Sequence, residues 1–185
     1  RASIAMGRGD METAQKLLGG CFMLQVAISA VLTAVLLVWS RDLLLAFGAS
    51  ANTIDYAADY MRVYAMGTLF VQLTLGMNAF ITAQGFAKVG MTTVLIGAAA
   101  NILLDPVFIF ALGMGVRGAA LATILSQGLS CVWVLRFLTG KRTLLRLRRE
   151  NFFIPARLLL PCISLGLATF VMQASESVIS VCFNA

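Results

Sequence analysis

The segment Asn101-Ile102-Leu103-Leu104-Asp105-Pro106-Val107-Phe108-Ile109-Phe110-Ala111-Leu112 decides how this chain is read. It is apolar enough for lipid, yet it holds a carboxylate with a proline directly behind it. An ionised acid in hydrocarbon costs at least ~2.5 kcal/mol, so intramembrane acids usually face a cavity or a partner and mark an ion or substrate path. Pro106 has no N–H to offer the Ile102 carbonyl, which leaves a backbone acceptor free one turn before the acid. Asn101 stands four residues ahead of Asp105 and shares its helical face. An acid, an amide and a freed carbonyl on one stripe make a small proton or cation site.

The rest of the chain has the same apolar character. Hydrophobic residues make up 60% of it and charged residues 12%, about half the charged share of a soluble domain. Long uninterrupted apolar runs exclude a soluble helical bundle and point to an all-α, polytopic transmembrane bundle. The net charge of +6 collects in the connections between runs instead of among aromatics, so nucleic acid is not an expected partner. Cys21, Cys131, Cys162 and Cys182 lie singly within apolar runs and read as packing residues. Histidine is absent, so any protonation switch has to use a carboxylate.

Five runs are expected to span the bilayer, over residues 17–39, 56–82, 89–112, 118–138 and 158–185. At ~1.5 Å per residue each can cross a hydrocarbon layer of ~30 Å. A loop with Arg41, Asp42, Gly48, Asn52 and Asp55 is expected between the first two. Alternating the loops between two sides places Arg41, Arg62 and Arg117 on one and every other Lys and Arg on the other. That asymmetry makes residues 1–16, 84–88 and 139–157 cytoplasmic in a multi-pass protein of the cell membrane. The basic 139–157 segment reads as a solvated connector, with a lipid-headgroup contact as the alternative. The chain starts at Arg1 and ends within an apolar run, as expected of a fragment whose partners include the remaining helices of a longer protein.

Polar residues inside the runs fall at helical spacings. The columns are Gln25, Ser29 and Thr33; Thr74, Asn78 and Thr82, with Thr68 and Gln72 on the same side; Thr93, Gly97, Asn101 and Asp105; Thr123, Ser126, Gln127 and Ser130; and Thr169, Gln173, Glu176, Ser177, Ser180 and Asn184. Such stripes either bond helix to helix or line a water-filled cavity. Two carboxylates and several amides among them favour the cavity.

Several motifs in order resemble the multidrug and toxic compound extrusion (MATE) transporters. They are Gly7-Arg8-Gly9-Asp10 with Ala14, Ala83-Gln84-Gly85 with Lys88 and Met91, Asn101 to Pro106 with Ile109-Phe110, and Gly115-Val116-Arg117-Gly118-Ala119-Ala120 with Ala122-Thr123 and Ser126-Gln127. The resemblance implies a transporter of twelve helices in two lobes, of which these spans are helices three to seven. Residues 1–138 would then belong to the N-terminal lobe, 139–157 to the link between lobes, and 158–185 to the first helix of the C-terminal lobe.

It also implies the coupling residues: Asp105 in one branch of the family, and in another a glutamate spaced like Glu176 from Gly166. Asn101, Pro106, Gln173, Ser177, Ser180, Asn78 and Gln127 would support them. The expected function is a secondary antiporter exporting amphipathic, often cationic, organic compounds in exchange for H⁺ or Na⁺, with Na⁺ at Asp105 or Glu176 in the second case. No cofactor is expected, and no enzymatic constellation stands out. The alternatives are a flippase for lipid-linked sugars of the same superfamily and a non-transporting membrane scaffold subunit.

Overall fold

The computed structural model describes residues 1–47, 53–152 and 154–184. Among them there is no strand. A short α1 (Ala2–Gly7) precedes α2 (Met11–Ala46), α3 (Ile54–Met66), α4 (Thr68–Ala83), α5 (Ala87–Pro106), α6 (Gly115–Thr139) and α7 (Ala156–Asn184). A π-helical turn, Val107–Ala111, prolongs α5, and a 3-10 turn, Arg149–Asn151, precedes α7. By length and apolarity α2, α5 with its π turn, α6 and α7 can each cross a membrane, and α3 with α4 pass the same test only as a pair bent at a break, a fifth crossing where the two act as one span. The chain forms the all-α membrane bundle that its composition predicts.

Asp10 starts α2, its carboxylate accepting the Thr13 N–H at 3.0 Å. Hydrogen bonds from the Thr13 side chain and then its backbone hold the Asp10 carboxyl below the ordinary carboxylate range. The helix runs past Trp39 to Ala46, so Arg41 and Asp42 are helical and not in a loop; Trp39, with φ −107° and ψ 18°, marks a kink instead of an end. Gly48 and Asn52 lie outside the described residues. The second apolar run also differs from expectation, since α3 and α4 meet at Gly67 with a bend of 55°. A β-carbon at Gly67 would lie 2.5 Å from Ile124 of α6. The missing side chain lets α6 approach the break.

Leu18 of α2, Met77 and Ile81 of α4, and Val134 and Leu138 of α6 form a fully buried core. Opposite it, α5 with its π turn presents Val94, Leu95, Ile102, Leu103 and Phe110, all more than half exposed, as a lipid-facing side. The basic segment after α6 is not solvated throughout. Leu145 is fully buried and completes the same core, and Thr143 is buried beside it. Gln84, in the α4–α5 turn, holds both: its Oε1 accepts the Thr143 hydroxyl at 2.7 Å and the Leu145 N–H at 2.8 Å. Its Nε2 donates to the Phe80 carbonyl at 3.1 Å. The first part of this connector is thus a strap docked on the ends of α4 and α6.

Candidate functional site

The four-residue spacing on α4, α5 and α6 turns three polar stripes toward one another around a cleft of about 300 Å³. Thr74 and Asn78 enter it from α4, Thr93, Gly97 and Asn101 from α5, and Thr123, Ser126, Gln127 and Ser130 from α6. Gly97 permits this approach, because a β-carbon there would lie 2.7 Å from Ser130 Oγ.

Part of the polarity is spent on holding the helices together. Ser130 donates to the Thr93 carbonyl at 3.1 Å and Thr74 to the Gln127 carbonyl at 3.3 Å. Asn78 Nδ2 donates to the Gly90 carbonyl at 3.3 Å, while its Oδ1 is buried without a hydrogen-bond partner. A buried acceptor with no donor is costly, and one that borders a polar cleft is a natural ligand for water or a cation.

Asp105 is half-buried one turn beyond the cleft. Asn101, which lines the cleft, donates from Nδ2 to Asp105 Oδ1 at 3.4 Å and so connects the acid to it. Pro106 follows, and the helix changes register behind it: Leu112 N–H donates to the Val107 carbonyl at 2.9 Å, five residues back. A π turn is how a helix absorbs the bond that proline cannot make.

Of the residues singled out from the sequence, Asn78, Asn101 and Gln127 share the cleft, and Asp105 joins it through Asn101. Pro106 stands at the entry to the π turn. Gln173, Glu176 and Ser177 lie apart on an exposed length of α7, where Ser177 Oγ donates to the Gln173 carbonyl at 3.1 Å. The Ser180 and Asn184 side chains lie outside what is described. Sequence spacing suggests a cavity shared by all five stripes; among the described residues the fold gathers those of α4, α5 and α6 around one cleft. The α2 stripe serves packing: Gln25 fills the notch at Gly76, Ser29 bonds to the Val26 carbonyl at 2.8 Å, and Thr33 to the Ala65 carbonyl at 3.1 Å. No group of three metal-ligating side chains exists among the described residues.

Gln84 and Thr143 carry structural weight that the sequence reading passes over. Residue type alone does not show it in Thr143-Leu144-Leu145-Arg146-Leu147-Arg148, where Leu144 is as apolar as Leu145 and yet is exposed while Leu145 is buried.

Known proteins match along most of this architecture. The family model described as MatE matches residues 1–107. "Multidrug export protein MepA" of Staphylococcus haemolyticus (strain JCSC1435) is 27% identical over 136 residues, which are 74% of this chain and 30% of that protein. Two solved structures are described as inward-facing and outward-facing conformations of a multidrug resistance MATE family transporter of the MOP superfamily. The inward-facing one superposes with a TM-score of 0.90 at 26% identity, covering 97% of this chain and 41% of that one. For the outward-facing one the values are 0.88, 28%, 96% and 40%. The chain therefore spans less than half the length of these relatives. With more than half of its residues matched by the family model and its helices superposing on solved transporters almost from end to end, the chain belongs to the MatE family of membrane transporters.

Proposed function

We propose that the protein to which this chain belongs is a secondary active antiporter, exporting amphipathic, often cationic, organic compounds in exchange for H⁺ or Na⁺. The observation that carries this reading is the Asn101–Asp105 contact at the end of a polar cleft enclosed by three otherwise apolar helices. In hydrocarbon a carboxylate is stable only with a partner or an ion, and its state of charge can then be coupled to what occupies the cleft.

The contact suggests how each ion would be held. Ionised Asp105 accepts from the Asn101 amide; a protonated carboxyl can instead donate to the Asn101 carbonyl oxygen once that side chain turns over. A sodium ion would leave Asp105 charged and add oxygens, for which Asn101 Oδ1 and the Ile102 carbonyl are the near candidates. Either change acts on α5 beside Pro106 and its π turn, which serve as the hinge of that helix. In this reading α2 to α6 belong to the N-terminal lobe and α7 opens the C-terminal lobe, where Glu176 is the second coupling acid. Residues 1–16, 84–88 and 139–157 face the cytoplasm. The similarity of this piece to both an inward- and an outward-facing transporter supports a helix packing that is kept in both states, as expected where lobes move largely as rigid bodies.

The cleft lining contains no Lys or Arg, which favours neutral or cationic cargo over the phosphate-bearing cargo of a lipid-linked sugar flippase. The deciding experiment is transport by the full-length protein in vesicles under an imposed proton gradient and then an imposed sodium gradient. Export driven by one of the two and lost in Asp105→Asn is expected. Transport unaffected by Asp105→Asn and Glu176→Gln, at unchanged expression, would refute the assignment.

A further inference from the structure

Beyond the end of α6 the chain doubles back and is held on both sides of its turn. Gly140 leaves the helical conformation at φ −71° and ψ 177°. Leu147 N–H returns to the Leu138 carbonyl at 3.0 Å, and Gln84 grips Thr143 and Leu145 between them. Lys141 and Arg142 sit on the short stretch so confined. With Arg136 and Trp133 from the last turns of α6 they enclose a pocket of about 330 Å³ that Phe137 and Gly140 complete. Phe137 is itself fixed edge-on against Phe86, with ring centroids 5.2 Å apart.

The charge balance of this pocket selects its occupant. A helix C-terminus carries about half a negative charge and would by itself repel an anion. Three full positive charges outweigh it. All three are exposed, and the ion pairs found among the described residues involve none of them. Trp133 is 39% exposed beside them, at the end of a helix long and apolar enough to cross a membrane. An indole next to cations at that depth belongs where acyl chains meet phosphates. A soluble anion would have no use for the apolar wall.

The geometry points to a binding site for the phosphate of an anionic phospholipid headgroup, formed by Arg136, Lys141 and Arg142 beside Trp133 and kept in shape by the Gln84 clasp. It requires that α6 span a membrane and is independent of what the full-length protein carries.

Trp133 provides the readout. The full-length protein is placed in phosphatidylcholine nanodiscs containing brominated phosphatidylglycerol or brominated phosphatidylcholine, and the Trp133 signal is taken as the difference between wild type and Trp133→Phe. Brominated phosphatidylglycerol should quench that signal at a much lower mole fraction, the preference falling roughly fivefold for each cation removed. In Arg136→Gln/Lys141→Gln/Arg142→Gln the two lipids should quench alike. Equal quenching by both lipids in the wild type, or a preference that survives the triple substitution, would overturn the proposal. Loss of the preference on adding millimolar inorganic phosphate would assign the pocket to free phosphate and overturn its assignment to lipid. Because no transport is measured, failure here leaves the antiport reading intact, and the converse also holds.

Discussion

Asn101 and Asp105, one turn apart on α5, are joined by a long hydrogen bond from Nδ2 to Oδ1 at 3.4 Å, and Asn101 also lines the cleft shared with α4 and α6. The amide therefore touches both the acid and the space in which an ion or substrate would sit. A change at either place is felt at the other through one side chain.

Removing the acid tests the first half of that relationship. Asp105→Asn keeps the shape and deletes the charge, so gradient-driven transport by the full-length protein should be lost while expression is retained. Asn101→Leu deletes the long 3.4 Å hydrogen bond to Asp105, a contact of ~0.5–1.5 kcal/mol. It should weaken the coupling-ion dependence by about two- to tenfold. Ion-titrated transport in vesicles measures both.

Gly97 controls how closely α5 and α6 approach. In Gly97→Ala the new β-carbon would meet Ser130 Oγ at 2.7 Å, and overpacking of this kind costs ~1–3 kcal/mol. A lowered unfolding temperature is expected, recovered in part by Gly97→Ala/Ser130→Ala. A single substitution as stable as wild type would show that the helices separate freely.

For the strap, Gln84→Leu leaves the Leu145 N–H buried without its acceptor, at a cost of ~1–3 kcal/mol. The single Thr143 hydroxyl hydrogen, released from Gln84, can turn to the Leu145 carbonyl 3.0 Å away. Hydrogen exchange across residues 140–147 should speed up by about tenfold or more, while α4 and α6 remain protected. Leu145→Ala opens a cavity in the core and should destabilise by ~2–5 kcal/mol.

At the break between α3 and α4, Gly67 lies against Ile124 of α6. Gly67→Val would place a branched side chain against Ile124, and Ile124→Ala should relieve most of the loss, so the pair will be strongly non-additive in a double-mutant cycle of thermal stability. Additive effects would mean that Gly67 and Ile124 are not in contact.

Arg117 and Asp59 form an ion pair at 2.9 Å between α6 and α3, with side chains 62% and 36% exposed. Exposed pairs contribute ~0–1 kcal/mol. Arg117→Gln should therefore shift the unfolding temperature little, and less still at high salt.

Much of this was legible in the residue order. Asp105 with Asn101 and Pro106 could be recognised because a charge, an amide and a proline in an apolar run stand out without knowledge of any neighbour. Leu145 could not, since a leucine among arginines reads as a solvated connector until Met77, Ile81 and Leu138 supply the surface on which it lands. Glu176, spaced like a coupling acid, lies on an exposed length of α7 outside the cleft lined by α4, α5 and α6.

The sequence by itself determined the membrane class, the apolar runs and the azimuth of each polar stripe, because hydropathy and four-residue spacing are properties of a single segment. Only the tertiary structure decided which stripes face one another. Gln25 and Thr33 became packing contacts, while Asn78, Asn101 and Gln127 came to border a cleft. The physical reason is that spacing sets where a side chain points on its own helix, whereas the rotation of that helix against its neighbours is set by how closely backbones approach at Gly67, Gly76 and Gly97.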